Sequence, residues 1–270
     1  MTITIEQLHR IYRQLLAEFD AFCRTNNIAY MLDGGTLLGA IRNGQFIPWD
    51  DDVDIARPRP DYDRFLNLWN GDMVLKCHEN DPTFLFPYAK LFNKETIVSL
   101  NDEKLEICGD VFVQFDIYPI DGVGEKERSI KRSAKRIRIL KQLLYYTVSD
   151  TGSDNWSKRI IYNIIKLPGT QFYYKNLQKE MCRYDYKKSK YVTRWRMPDL
   201  IKTTYLKSQI EPFVEVDFCG LSLFAPRDAD VYLTRCYGDY RTPHRENNGL
   251  RHDIRNSVIT ENLAQQVNNK

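Results

Sequence analysis

Apolar residues fall at helical spacing at the start of the chain and alternate with polar residues soon afterwards. Over residues 8–23 they recur at i, i+3 and i+4, and residues 4–7 have the form of a capping box, so the pattern predicts a long N-terminal helix. Alternation over residues 28–32 predicts a strand that leads directly into a glycine pair, Gly34 and Gly35.

A dense run of carboxylates follows this glycine pair. Residues 33–54 read DGGTLLGAIRNGQFIPWDDDVD. We expect Thr36 to cap a short helix, and the alternation over residues 52–56 predicts a second strand. Since side chains two residues apart on a strand share a face, Asp52 and Asp54 should point the same way.

The rest of the pattern predicts an α+β protein whose middle third is helical. Strands are predicted at residues 73–77, 88–92, 96–100, 111–118, 191–195, 214–218 and 221–224, the last two as a hairpin. Helices are predicted after a cap at Asp61 and at residues 125–146, 156–166, 170–184 and 228–236. We therefore divide the chain into a catalytic core over residues 1–122, a helical insertion over residues 123–188, and C-terminal strands and loops over residues 189–270 that complete the catalytic domain.

Composition narrows the class of protein. The 270 residues are 43% hydrophobic and 28% charged, with a net charge of +3, so a packed core is expected and nothing demands a nucleic-acid partner. The six cysteines form no CxxC pair, and the sequence has neither a signal-peptide-like leader nor a long apolar run. We expect a cytoplasmic protein with free thiols.

The glycine pair and the acids suggest a site for an anion and a cation. A strand, two glycines and a helix start can offer N–H groups to a phosphate, although turns explain most such pairs. Asp52 and Asp54 would suit a hard divalent cation, the alternative being a solvated acidic turn. An EF-hand is excluded, because a loop starting at Asp50 has Ile55 and Asp61 where glycine and glutamate are required.

A third acid, Asp116, ends a later predicted strand. A glycine turn, a DxD pair and a third strand-borne acid, in that order, form the layout of a nucleotidyltransferase-like palm, a mixed sheet flanked by helices. In that fold acids hold Mg²⁺ against a donor pyrophosphate.

Four segments resemble the LicD family: MLDGGTLLGAIRNGQFIPWDDDVDIARPRPDYDRF, YAKLFNKETIV, FVQFDIYPIDGV and YLTRCYGDY. That family includes bacterial phosphocholine transferases that act on surface glycans, and its fold relatives include fukutin and fukutin-related protein. The resemblance covers residues 5–122 and 190–255. It implies transfer of phosphocholine, or a related phosphoalcohol, from CDP-choline or a similar CDP-alcohol to a sugar hydroxyl of lipopolysaccharide, teichoic acid or capsule, with release of CMP.

The resemblance also assigns the acids. Asp52, Asp54 and Asp116 match the family's catalytic and metal-binding acids, and Asp50 matches the acid just before them. The cofactor implied is Mg²⁺, with Mn²⁺ as a substitute, and Asp116 would also serve as the base. Asp51 is expected to face solvent.

The donor phosphates would be held by the glycine turn and by a later basic residue. The residues expected there are Gly34, Gly35, Thr36 and Lys90, although Lys90 could equally be a surface lysine. A choline headgroup needs an aromatic cage or a carboxylate. Candidates for contact with choline or the acceptor are Trp49, Trp195, Tyr237, Tyr240 and His252, each of which could instead be a packing or loop residue.

Two departures from the family pattern concern the later part of the chain. The FEG element reads Phe218-Cys219-Gly220, so its glutamate is lost or replaced by Glu215 or Asp217. The Pro-Pro step after YGDY reads Thr242-Pro243-His244. Both departures leave the acceptor and donor contacts of these loops open.

The predicted helix over residues 125–146 carries eight basic residues. It is either a solvated face or a contact for anionic lipid headgroups or a lipid-linked glycan, which would place the protein at the inner membrane leaflet. Three other functions remain open: a nucleotidyltransferase, a DxD glycosyltransferase, and a non-catalytic glycan-binding or metal-binding module.

Overall fold

The computed structural model describes residues 4–100, 111–149, 156–195, 202–242 and 252–259. The helices are α1 Ile5–Thr25, α2 Gly34–Asn43, α3 Arg59–Leu68, α4 Glu127–Val148, α5 Trp156–Lys166, α6 Gly169–Met181, α7 Lys207–Ile210 and α8 Ala229–Tyr237. The strands are β1 Met31–Leu32, β2 Val53–Pro58, β3 Val74–Lys76, β4 Ala89–Leu100, β5 Val111–Val123, β6 Tyr191–Arg194, β7 Thr204–Leu206, β8 Val214–Phe218, β9 Leu221–Ala225 and β10 His252–Ile259.

The chain forms two compact units. One comprises Met1–Lys76, Tyr88–Pro119 and Ser208–Lys270, and the other comprises Cys77–Pro87 and Ile120–Lys207. The second unit contains the predicted helical insertion together with β6 and β7, which the sequence analysis assigned to the C-terminal part.

The first unit is built on a sheet with the strand order β1-β2-β5-β4-β10, and β3 also pairs with β4. Helix α1 covers it with an amphipathic face, and the predicted capping box between Thr4 and Gln7 is present. The Phe19 ring packs edge-on against Tyr30, Phe65 and Phe115, so one helix residue joins β5, α3 and the residue just before β1 in the core. The predicted α+β class, with a palm-like sheet flanked by helices, is confirmed.

A buried arginine lies in this core. Arg57 on β2 is 0% exposed, and its guanidinium lies 3.9 Å from the Phe65 ring centroid. Burial lowers its pKa. Because successive side chains on a strand point to opposite faces, Arg57 and Asp54 lie on opposite faces of β2. The Arg57 side chain lies in the core, and the Asp54 side chain lies against the glycine pair.

The predicted β8–β9 hairpin is confirmed, and its turn is closed by Cys219 and Gly220. Both residues have positive φ, 55° and 74°, as a two-residue hairpin turn of the primed type requires. The Arg13 Nε donates to the Cys219 carbonyl at 2.7 Å, which ties the turn to α1.

Three details of the predicted elements were wrong. Helix α2 begins at Gly34 and is capped by Asp33, whereas Thr36 was expected to cap it. Helix α3 begins at Arg59 after Pro58, without a cap from Asp61. The two strands predicted over residues 88–100 are one strand, β4, whose pairing with β5 shifts between Phe92 and Ile97. Local patterns missed the bulge because the β4–β5 pairing sets it, and they missed the cap of α2 because Asp33 is held by its pairing with Asp54.

The second unit packs α4 and α6 around an apolar core, with α5 alongside. The core residues are Val123, Ile130, Ile137, Leu144, Tyr173, Tyr174, Leu177, Met181 and Trp195. The end of β5 pairs with β6, and β6 pairs with β7. Within the described ranges, no helix of either unit is both long enough and apolar enough to cross a membrane.

Lys141 on α4 carries a largely buried amine that donates to the Trp195 carbonyl at 3.4 Å. Burial lowers its pKa to about 8. The folded state therefore disfavours the charged form, which the unfolded chain keeps up to its ordinary pKa near 10.5.

We expect Lys141→Met to raise the free energy of unfolding by about 1–2 kcal/mol at pH 7, because methionine keeps the packing without the buried charge. Between pH 8 and 10.5 the unfolded wild type binds the extra proton, so its stability rises and the difference between the two proteins should shrink. Urea unfolding of both proteins across pH 7 to 10 measures this. A difference that stays constant over that range would contradict the assignment.

Candidate active site

The start of α2 is the centre of the predicted site. The Gly34 amide donates to Asp33 Oδ1 at 2.7 Å, and the same oxygen accepts from the Tyr232 hydroxyl at 2.7 Å. The Asp33 amide in turn donates to the Asp54 carbonyl at 2.9 Å, in the short β1–β2 pairing. Asp33 therefore holds the first turn of α2 directly beside the acidic strand.

Asp54 lies against Gly34. A Cβ placed on Gly34 would be 1.9 Å from Asp54 Oδ2, and the φ of Gly34 is +55°. Only glycine fits at this position, because any side chain would displace the carboxylate and strain the backbone. Thr36 Oγ1 accepts from the Asp54 amide at 3.0 Å, so Thr36 positions the strand.

Asp50 approaches the second glycine in the same way. A Cβ on Gly35 would be 2.8 Å from Asp50 Oδ2. Two carboxylates therefore face the first two residues of α2, where the helix dipole favours negative charge. His9 on α1 contacts the Asp50 carbonyl through Nε2 at 2.7 Å and stacks on Phe46, and burial lowers its pKa.

The acids between Asp50 and Asp54 are held from the α1 side. The Tyr12 hydroxyl donates to the Asp51 carbonyl at 3.0 Å. Burial raises the Tyr12 pKa, and the charges of Asp52 and Asp51 raise it further, so both carboxylates lie near this phenol. Asp51 is only 5% exposed, and the expectation that it faces solvent was wrong. The reason is that α1 covers the loop.

Asp116 on β5 forms a buried ion pair with Lys90 on β4. The two residues are register partners, and Lys90 Nζ lies 2.8 Å from Asp116 Oδ1. The Tyr118 hydroxyl donates to Asp116 Oδ2 at 2.9 Å. Lys90 is therefore not a surface lysine. Oδ2 of Asp116 therefore accepts a hydrogen bond, Oδ1 faces the Lys90 ammonium, and each oxygen retains a lone pair for a further ligand.

Tyr88 connects this ion pair with the acidic strand. Burial raises its pKa most, the charge of Asp116 raises it next, and the charge of Asp54 also contributes. Carboxylates from β2 and β5 thus lie near the same phenol, next to Lys90. The tertiary structure brings together Asp54, Asp116 and Lys90, residues that are far apart in sequence.

The fit of a metal ion can be judged from these oxygen donors. Asp50 and Asp54 converge on one helix end, and carboxylates are the ligand type that Mg²⁺ prefers. Among the residues with described side chains, however, no three His, Cys, Asp or Glu side chains are grouped closely enough to hold a metal. Lys90 supplies a positive charge to Asp116 instead. The chemistry fits a hard cation, and the four-acid ligand set stays a prediction.

The five candidates for choline or acceptor contact lie in different environments. Trp195 and Tyr240 are buried, the first in the core of the second unit and the second with its hydroxyl donating to Asp230 Oδ1 at 2.7 Å. Trp49 and Tyr237 are well exposed. His252 begins β10 opposite Leu100 and so lies in a strand, not in a loop. Exposure favours Trp49 and Tyr237 as contacts for a ligand.

Sequence reasoning missed the residues that support the acids. Asp33, His9 and Tyr12 orient the glycine turn and the acidic loop, and Tyr88 and Tyr118 flank Asp116. A signal was present only for Tyr118, which lies two residues after Asp116 on the same strand and so shares its face. The possible replacement Glu215 pairs with Arg24 at 2.7 Å on the exposed hairpin.

Comparison with known proteins finds a family that matches the part of the chain carrying these residues. Residues 27–134 match the family described as LicD/FKTN/FKRP, nucleotidyltransferase domain. That range includes the glycine pair, the acidic strand, the Lys90–Asp116 pair and both tyrosines beside it.

Three individual proteins are also similar to this chain in sequence. The chain is 26% identical over 277 aligned residues to the lipopolysaccharide cholinephosphotransferase LicD of Haemophilus influenzae, covering 95% of this chain and 98% of the relative. An uncharacterised protein of Rickettsia typhi is 42% identical over 55 residues, covering 20% of this chain and 18% of its own length. One of Rickettsia prowazekii is 48% identical over 43 residues, or 16% of each chain. The chain is thus similar to LicD proteins, through the family's nucleotidyltransferase domain at residues 27–134 and through one relative along nearly its whole length.

Proposed function

We propose that this protein transfers phosphocholine, or a related phosphoalcohol, from a CDP-activated donor to a sugar hydroxyl of a bacterial surface glycan. The observation that carries the proposal is the convergence of Asp50 and Asp54 on the first two residues of α2. The cholinephosphotransferase of Haemophilus influenzae, similar over nearly its whole length, supports phosphocholine as the group moved and lipopolysaccharide as the acceptor class.

Electrostatics supports a divalent cation in this proposal. The N-terminus of a helix that begins with two glycines would ordinarily attract phosphate. Here Asp54 and Asp50 occupy that position, and they would repel a donor pyrophosphate. A cation held by Asp50, Asp52 and Asp54, with Asp116 nearby, removes the repulsion. We propose Mg²⁺, with Mn²⁺ as a substitute. When bound, it would neutralise charge on the donor phosphates.

The chain's own residues supply positioning and proton transfer. Lys90 would contact the donor phosphates, and Tyr118 and Lys90 together hold the Asp116 carboxylate. Asp116 accepts the proton of the attacking sugar hydroxyl. The hydroxyl oxygen forms a bond to the phosphorus that carries choline, the bond from that phosphorus to the CMP oxygen breaks, and CMP leaves. A cytoplasmic location is part of the same proposal.

Donor identity is the first test. We expect release of CMP from CDP-choline, CDP-ethanolamine or CDP-glycerol in the presence of Mg²⁺ and lipopolysaccharide, and loss of that release on addition of EDTA. Mass spectrometry of the acceptor then shows which group was added. Addition of phosphocholine supports the proposal, whereas addition of CMP would make the protein a nucleotidyltransferase, and turnover of nucleotide sugars alone would make it a glycosyltransferase.

Substitution of the site acids or of Lys90 should lower kcat far more than substitution of an exposed acid elsewhere. We expect Asp54→Asn, Asp116→Asn and Lys90→Met each to lower kcat by about 10²–10⁴-fold, because each removes a charge that acts on the reacting phosphates. Asp63→Asn, an exposed position on α3, is the control and should stay within about twofold of wild type. Steady-state CMP release measures all four, and wild-type rates in Asp54→Asn would remove it from the active site.

Gly44, which caps the C-terminal end of α2, is a matched control for Gly34. Gly34→Ala and Gly44→Ala both place alanine at positive φ, 55° and 64°, which costs about 1–2 kcal/mol in each. A new Cβ at Gly34 meets Asp54, whereas at Gly44 the nearest atom is 3.9 Å away. We therefore expect the backbone cost in both variants, a further loss of stability from the Asp54 clash in Gly34→Ala, and a loss of kcat, about 10²-fold, only in Gly34→Ala. Equal rates in the two variants would show that the approach of Asp54 does not matter.

A further inference from the structure

Helix α5 of the second unit has an apolar face that points outward. Ile160, Ile161, Ile164 and Leu167 are 48%, 57%, 59% and 81% exposed. Ile160, Ile164 and Leu167 follow the i, i+4, i+7 spacing of one helical stripe, and Ile161 widens it. Phe172, in the first turn of α6, adds a ring that is 52% exposed.

The opposite side of α5 already has its partners. Ile165 packs against the core of the second unit, and the Tyr162 ring meets Tyr146 of α4 edge-on at 5.1 Å. The outward stripe is therefore not needed to dock the helix. Large aliphatic side chains at such exposure are costly in water unless another apolar phase covers them.

The charge around the stripe indicates which phase that is. Residues 156–179 contain five lysines and arginines and no acidic residue. Over residues 125–190 there are 17 basic and six acidic residues, a net charge of +11, so the remainder of the chain carries −8. The apolar stripe thus lies in the basic part of an otherwise acidic protein. A basic helix with exposed aliphatic and aromatic residues is the pattern of interfacial membrane helices.

We propose that α5 and the first turn of α6 dock in the plane of an anionic lipid bilayer, with the isoleucine stripe in the acyl boundary. The 11 residues of α5 span about 16 Å, too short to cross the hydrocarbon core, so the helix lies on the membrane. Arg159, which precedes Ile160 in α5, and Lys175, three residues after Phe172 in α6, are exposed and can reach lipid headgroups. This surface is distinct from the acidic site in the first unit, and its use does not depend on which donor that site takes.

Vesicle flotation with the full chain tests the proposal, using phosphatidylcholine vesicles with and without phosphatidylglycerol, whose negative surface potential attracts lysine and arginine. We expect binding to the anionic vesicles that weakens at high salt. The double substitution Ile160→Ser with Ile164→Ser should lower the partition coefficient by about tenfold or more. Arg159→Gln with Lys175→Gln should lower it only for anionic vesicles.

Leu68→Ser on α3 is the matched control, since Leu68 is 45% exposed but lies outside this surface. It should bind vesicles as the wild type does, and all variants should keep the wild-type melting temperature. Absence of wild-type binding, or unchanged binding of the isoleucine variant, would overturn the proposal. The proposal would also be overturned if sedimentation velocity showed a wild-type dimer that becomes monomeric in the isoleucine variant, and if neither protein bound vesicles. No donor or acceptor enters the assay, so its outcome is independent of the proposed transfer.

Discussion

The contact between Asp54 and Gly34 is the constraint on which the rest of the site depends. A carboxylate can lie this close to a helix N-terminus only where no Cβ intervenes, and the helix dipole offsets part of its charge. Asp33 caps the same turn and pairs with β2, so the glycine turn and the acidic strand form one rigid piece. The glycines, which in isolation would be a phosphate site, here admit the acids instead. That exchange is the physical reason for including a cation between protein and donor in the proposed reaction.

The buried ion pair between Lys90 and Asp116 is the other main charged contact of the first unit. Lys90 and Asp116 face each other on adjacent strands, and burial strengthens their attraction while making either partner costly to remove. The pair holds the Lys90 ammonium beside Asp116, where the proposed function uses it for a donor phosphate. Tyr118 and Tyr88 surround it with hydroxyls and rings, which limits the movement of the carboxylate.

The two units differ in charge as well as in structure. The part of the chain that carries the acidic strand and the sheet is net negative, whereas the helical part is strongly positive and exposes an aliphatic stripe. One part is suited to hold cations and phosphates, the other to meet anionic lipid. A transferase that modifies glycans would gain from such a division, because membrane contact can be changed without touching the reacting groups.

The order of the chemical groups was readable from the sequence alone. Residue type, spacing and period are local properties, and they indicate the glycine pair, the DxD at the start of a strand, the later Asp116 and the long basic helix. What only the tertiary structure decided concerns contacts between distant segments: that Asp33 and not Thr36 caps α2, that Asp51 is covered by α1, and that Lys90 is paired with Asp116. Trp195 likewise belongs to the core of the second unit. Local patterns state what each residue can do, whereas burial and partners depend on which strands become neighbours, and that is set by packing across the whole fold.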